Sequence, residues 1–265
     1  MRLAIFSAFP HELKYIVKNF TITKKLKKYP FHIFFTKYSS CEIILVQTGM
    51  GTHNAEASLK YILGKYSPNC ILSLGFGGAL YDGAIVGDLI WVSKVLLIPE
   101  SAVEKSRFNF LKSGGIDSRY AWKQYLLEIP KAREIFSKLS DKIAMHEGCI
   151  LTLEKWMKKS EVKKMLPEKL PFPICDMETF FLADFSIKRG LSFFAVRSIT
   201  DRVDEEIPPE LFNVSDETGN YRLSRALRLL LGNPELIPAS IKLGRNSNIA
   251  AKNLWPVVKS LVEIL

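Results

Sequence analysis

Short apolar runs alternate along this chain with stretches in which apolar positions recur every three or four residues. The opening run "LAIFSAF" predicts a buried strand, and "HELKYIVKNF" after it has helical spacing. "FHIFFTKY" and "CEIILVQTG" predict two adjacent strands, and "THNAEASLKYILGKY" an amphipathic helix. "NCILSLGFGGAL" predicts a buried strand ending in a glycine turn, and "GDLIWVSKVLLIP" another strand. "HEGCILTL" is a further strand, followed by the helix-like "EKWMKKSEVKKML". "PICDM" then leads into a helix over "ETFFLADFSIKRG", and "LSFFAVRSITD" is again a buried strand.

Strands alternating with helices predict an α/β fold with a largely covered central sheet. In such folds ligands sit beyond the carboxyl ends of the strands. Those ends fall at Ser7–Glu12, Gly49–Gly51, Gly75–Gly78, Leu153–Met157, Met177–Glu178 and Thr200–Asp201. The stretch from Pro99 to Asp141 is less regular, and reads as an insertion or a partner-contacting segment. After Arg202 comes a loop rich in prolines and acids, then three helical stretches divided by "GNPE" and Pro256. This gives a catalytic domain over 1–204 and a basic helical extension over 205–265 that packs on it.

Composition narrows the picture. With 265 residues, 48% of them hydrophobic and 24% charged, the chain is of ordinary globular character. It has no apolar run of the roughly 20 residues that spans a bilayer and no signal-peptide pattern at its start, so a cytoplasmic protein is expected. Cys41, Cys70, Cys149 and Cys175 lie far apart, mostly inside apolar runs, and predict buried free thiols rather than a zinc site or disulfides. No metal and no cofactor is expected. The net charge is +10. Its lysines sit in runs such as "TKKLKKY" that read as solvated surface, without a nucleic-acid motif. From Arg222 to Leu265 there are seven cations against two anions, Glu235 and Glu263.

The loops "QTGMGTHNA" and "SLGFGGAL" allow a backbone to turn tightly or approach a ligand. Neither fits a dinucleotide or P-loop pattern. The carboxylates say more. Glu12, Glu178 and Asp201 each lie just past a predicted strand end, on one edge of the sheet. Acids so placed can activate water, bind hydroxyls or donate a proton. Each is also open to a reading as a helix cap or surface acid, and for Asp176 the capping role is the simpler one.

Together, "LAIFSAFPHEL", "VQTGMGTHNAEASLKYIL", "SLGFGGALYDGAIVGDLIWVS" and "DMETFFLADFSIKRGLSFFAVRSITD" resemble the purine nucleoside phosphorylase/uridine phosphorylase superfamily, nearest its methylthioadenosine/S-adenosylhomocysteine nucleosidase branch. The resemblance implies a three-layer α/β/α sandwich around a mixed sheet, and cleavage of an N-glycosidic bond in an adenine-type purine nucleoside. It implies that Glu178 binds the ribose hydroxyls with Met177 packed on the sugar. Asp201 would protonate N7 of the leaving purine, and Glu12 would activate water. Trp156 would stack on the base with Met157 beside it, and Phe76 and Gly77 would line the same site. Such chemistry is coherent, because an oxocarbenium-like transition state favours nearby carboxylates and the base needs a proton to leave.

Superfamily phosphorylases hold phosphate with arginines and a serine. Here Ser73 and Phe76 stand at two of those positions, "SAFPHEL" has no arginine, and Glu12 would repel phosphate. Hydrolysis is therefore expected, with phosphorolysis the alternative. Phe76 makes the pocket more apolar than is usual in the branch. The tail "NPELIPASIKLGRNSNIAAKNLWPVV" resembles the C-terminus of hopanoid-associated phosphorylase-like proteins, which act on adenosylhopane, a lipid-linked nucleoside. Two readings of the tail follow: peripheral contact with an anionic membrane, or packing on the sandwich or a homodimer interface. The resemblance implies a homodimer. A non-catalytic nucleoside-binding protein is the remaining alternative, and the presence of all three acids counts against it.

Overall fold

The structure, a computed structural model, describes residues 1–99, 124–127, 134, 139, 143–166, 169–215 and 222–264. Most of the irregular stretch read between Pro99 and Asp141 lies outside them. Among the described residues, ten strands form one mixed sheet. They are β1 (Arg2–Ser7), β2 (Lys24–Lys28), β3 (Phe31–Tyr38), β4 (Cys41–Gln47), β5 (Cys70–Ala79), β6 (Leu89–Ile98), β7 (Gln124–Leu126), β8 (Met145–Leu153), β9 (Ile174–Asp176) and β10 (Ser192–Asp201). The helices given by the described residues are α1 (Pro10–Asn19), α2 (Thr52–Tyr66), α3 (Lys159–Met165), α4 (Thr179–Ile187), α5 (Leu223–Gly232) and α6 (Ile237–Ile264).

The strand order is β10-β6-β8-β9-β5-β1-β4-β3-β2, and β10 also pairs with β5. Five strands therefore close into a ring, β10-β6-β8-β9-β5, and the rest of the sheet extends from β5 as an open wing. β5 and β10 run parallel from Cys70 and Ser192 onward, and the register shifts between Ile199 and Asp201. Such a shift bends a strand and re-aims its side chains; here it falls where Asp201 enters the site.

The central strands are apolar on both faces because both are covered. One core cluster joins Ala4, Phe6, Ile44 and Ile71 to Ala55, Leu59 and Ile62 of α2 and to Phe180 and Leu182 of α4. The other joins Leu3, Ile5, Leu45 and Leu72 to Leu13 and Ile16 of α1 and to Leu254, Val257, Val258 and Leu261 of α6. Helices α2 and α4 thus cover one face, and α1 and α6 the other.

Two expectations change and a third is extended. The glycines of "SLGFGGAL" do not end their strand: β5 runs through them to Ala79. The run "KKLKK" is solvated as expected, but it is also the edge strand β2, paired with β3. Its lysines are exposed, as suits an edge kept from pairing with other chains. Pro256 does not divide the tail. Helix α6 passes straight through it, because the carbonyl that Pro256 frees belongs to Lys252, an exposed residue, while burial of Leu254, Val257, Val258 and Leu261 outweighs a cost of about 3 kcal/mol. At "GNPE" the tail does divide, with a short 3₁₀ turn at Pro234–Leu236. Cys41, Cys70 and Cys149 are buried, Cys175 is half-buried, and all are free. No helix among the described residues is long and apolar enough to cross a membrane.

Candidate active site

The ends of β1, β4, β5, β8, β9 and β10 open on one cavity. Glu12, Phe76, Gly77, Trp156, Met157, Met177, Glu178 and Asp201 all line it, so every candidate from the sequence is brought together.

Glu12 begins as a local device. Phe9 is the extended residue before α1, Pro10 starts the helix, and Glu12 Oε2 accepts the Phe9 N–H at 2.8 Å. Its second oxygen does what a cap does not need: Oε1 accepts the Phe76 N–H at 2.8 Å, from the middle of β5. The approach is possible because residue 75 is glycine. A Cβ there would lie 2.5 Å from Oε1. Glu12 is only 3% exposed, and burial pushes its pKa up to about 7 against the two N–H groups that lower it.

Glu178 stands immediately before α4. Its Oε1 accepts the Gly51 N–H, at the start of α2, at 2.7 Å, and its Oε2 accepts the Met177 N–H at 3.3 Å. Burial and the charge of Asp176 push it up to about 8. Asp176 itself is the capping acid expected of it. Oδ2 accepts the Thr179 N–H at 3.0 Å and Arg197 Nη2 at 2.8 Å, and Oδ1 accepts the Thr152 hydroxyl at 2.7 Å. Arg197 also donates to Ser73 Oγ at 2.8 Å. The guanidinium and Asp176 are both almost fully buried, and the pair anchors the part of the cavity wall that Asp176 lines.

Asp201 ends β10. Oδ1 accepts the Thr200 hydroxyl at 2.6 Å, and Oδ2 forms an ion pair with Lys159 Nζ. Gly78 makes the room here, since a Cβ at that position would stand 2.8 Å from Oδ2. Burial raises the Asp201 pKa, and Lys159 works against the rise.

Sequence reasoning missed Lys159. It was one lysine in a helix-like run from Glu154, but the helix starts only at Lys159. Glu206 fixes that start: its carboxylate accepts the N–H groups of Lys159 and Ser160 at 3.1 and 3.0 Å. The residues between β8 and the helix are therefore irregular, and Trp156 and Met157 fall on the cavity wall. Leu211 and, from α6, Leu243 and Ser247 also line the cavity, so the C-terminal region supplies part of the site. Asn246 of α6 donates to the Thr200 carbonyl at 2.8 Å, next to Asp201.

Residues 2–231 match the sequence pattern of the phosphorylase superfamily. The chain belongs to that superfamily. Among curated relatives, the 5′-methylthioadenosine/S-adenosylhomocysteine nucleosidase of Buchnera aphidicola is 25% identical over 238 residues, covering 88% of this chain and 98% of that protein. The Bacillus subtilis protein of the same name is 25% identical over 209 residues, covering 78% and 88%. Among solved structures, the Neisseria meningitidis nucleosidase in complex with methylthio-immucillin-A superposes with a TM-score of 0.71 at 17% identity, covering 100% of this chain and 99% of that one. The futalosine hydrolase of Helicobacter pylori does so at 0.72 and 17%, covering 100% and 98%. At these identities the superpositions establish the fold: a phosphorylase-superfamily mixed sheet with helices, plus a long C-terminal helix.

Proposed function

We propose that the chain is a nucleosidase that cleaves the N-glycosidic bond of a purine nucleoside with water. The observation that carries this is Glu12: a buried carboxylate on the cavity wall, held by two backbone N–H groups, with a pKa near neutrality. Such a group is poised to take a proton from water at physiological pH. The hydroxide oxygen so formed attacks C1′ of the sugar. The C1′–N bond breaks, its electron pair goes to the base, and N7 takes a proton from Asp201. Glu178, held to the start of α2, receives the ribose hydroxyls, and Met177 packs on the sugar. Trp156 and Met157 face the base.

Phosphate is the poorer nucleophile for this cavity. Among the described residues its wall holds no arginine. Arg197, which pairs with the lining residue Asp176, also donates to Ser73 and Thr179. Relatives named for methylthioadenosine and S-adenosylhomocysteine support a nucleoside with a 5′ substituent. Adenine and 6-oxopurine nucleosides both fit this reading, and Lys159 divides them.

The test is release of free base from methylthioadenosine, S-adenosylhomocysteine, adenosine and inosine, with and without inorganic phosphate. Equal rates in both conditions are expected. Turnover that requires phosphate overturns hydrolysis.

A further inference from the structure

The proton transfers and hydroxyl contacts of the proposed reaction use carboxylates, yet among the described residues the cavity wall also holds one cation that this chemistry does not require. Lys159 is 5% exposed and lines the cavity. Its ammonium is bonded to Asp201 Oδ2 and to the Arg202 carbonyl. An ammonium has three N–H donors and no acceptor, so two are used within the protein and the third is left for a ligand. Asp201 in turn has one oxygen on the Thr200 hydroxyl and the other on Lys159.

The two classes of purine differ at the edge such a pair would meet. Adenine presents N7 as an acceptor and its 6-amino group as a donor; a 6-oxopurine presents two acceptors, N7 and O6. A lone protonated aspartate suits adenine, giving a proton to N7 and accepting from the amino group. An aspartate that carries the N7 proton, with an ammonium beside it, offers two donors. Against adenine the ammonium would face the amino group donor to donor, and its third N–H would stay buried and unpaired. A site whose buried polar group is left unpaired discriminates strongly.

We propose that Lys159 selects the base: its ammonium donates to O6 of a 6-oxopurine while Asp201 serves N7, so the preferred substrates are hypoxanthine- or guanine-type nucleosides. This rests on the nucleosidase reading above, and departs from the adenine-type substrate that the sequence resemblance implies. The backbone supports the assignment. Glu206 pins the first turn of α3, and Gly78 leaves space in β5 for both Asp201 Oδ2 and the Lys159 side chain, whose Cδ would lie 3.5 Å from a Cβ there. Lys159 is thus held from its backbone to its ammonium.

The experiment compares kcat/KM for 5′-methylthioinosine and 5′-methylthioadenosine, which differ in the base only at C6. Wild type, Lys159→Met and Lys159→Arg are assayed. Wild type is expected to favour the inosine by about tenfold or more, in line with one charge-assisted hydrogen bond. Lys159→Met brings the ratio to about one or below, and Lys159→Arg, which keeps a donor, retains the preference. Calorimetry on wild type should find hypoxanthine bound more tightly than adenine, a readout independent of how well the variants fold. A structural role alone would lower both rates of Lys159→Met by the same factor, and that outcome overturns the proposal. Preference of wild type for the adenosine overturns it while leaving the nucleosidase reading intact. Release of neither base overturns both.

Discussion

The carboxylate of Glu12 and the backbone N–H of Phe76 meet at 2.8 Å across 64 residues of chain. The contact ties the first turn of α1 to the middle of β5, and holds an acid in the cavity wall beside Phe76. Glu12→Gln keeps the size but lacks the base, and its amide turns a donor toward one of the two N–H groups. Base release is expected to fall by about 10²- to 10⁴-fold, as measured by kcat on any accepted nucleoside, while far-UV circular dichroism stays native. Near-normal turnover would remove Glu12 from the mechanism.

Acidity should control both rate and stability, in opposite senses. Glu12 at about 7 must be ionised to act, so the rate should rise with pH through neutrality. Glu12 and Glu178 are both raised above their ordinary value of 4.5, to about 7 and about 8. The folded protein then binds more protons than the unfolded chain between those limits. Stability from these groups is present below about pH 4.5 and is lost as pH rises through 7 and 8. Thermal melts from pH 5 to 8.5 should show the melting temperature falling, with a shallower fall in Glu178→Gln. An unchanged slope in that variant would contradict the burial argument.

Gly75→Ala adds one methyl group at the point where Glu12 Oε1 already stands 2.5 Å from the Cβ position. The carboxylate must leave its two N–H partners. Activity should drop as far as in Glu12→Gln, at a stability cost of about 1–3 kcal/mol by urea denaturation. If activity survives, the held geometry of Glu12 is not what the reaction needs.

Asp201→Asn removes the proton for N7 and strands the Lys159 ammonium. Loss of activity is expected with a destabilisation of about 3–5 kcal/mol, as when one member of a buried pair is removed. The double variant Asp201→Asn with Lys159→Met should recover stability and no activity. Melting curves and base release read the two effects separately, and recovered turnover in the double variant would refute the role of Asp201.

Asp176→Ala breaks a pair whose side chains are both under 5% exposed, and uncaps α4. It too should cost about 3–5 kcal/mol. A loss below 1 kcal/mol in urea denaturation would mean that Arg197 finds another partner.

The three acids were legible because each follows an apolar run that had to be a strand, and strand ends in an α/β sheet converge. Lys159 was not legible. Nothing local distinguishes it from the solvated lysines around it; it is buried only because Glu206, 47 residues later, starts the helix there, and because Asp201 awaits its charge. The β5 glycines misled for a related reason. Glycine clusters ordinarily mark turns, but Gly75 and Gly78 are needed within a strand to admit carboxylates from elsewhere in the chain. Pro256 misled because its cost as a helix breaker is local, while the burial that outweighs it is tertiary.

Helix α6 follows the ten strands in chain order, yet Leu243 and Ser247 wall the cavity and Asn246 secures the strand end beside Asp201. A chain emerging from the ribosome can pair β1, β4 and β5 early, but no cavity with a complete wall exists until residues beyond Ser247 are free to pack. Synthesis therefore delivers the sheet and the three acids well before it delivers a closed site, and a chain arrested within α6 would carry all three carboxylates on an open ledge.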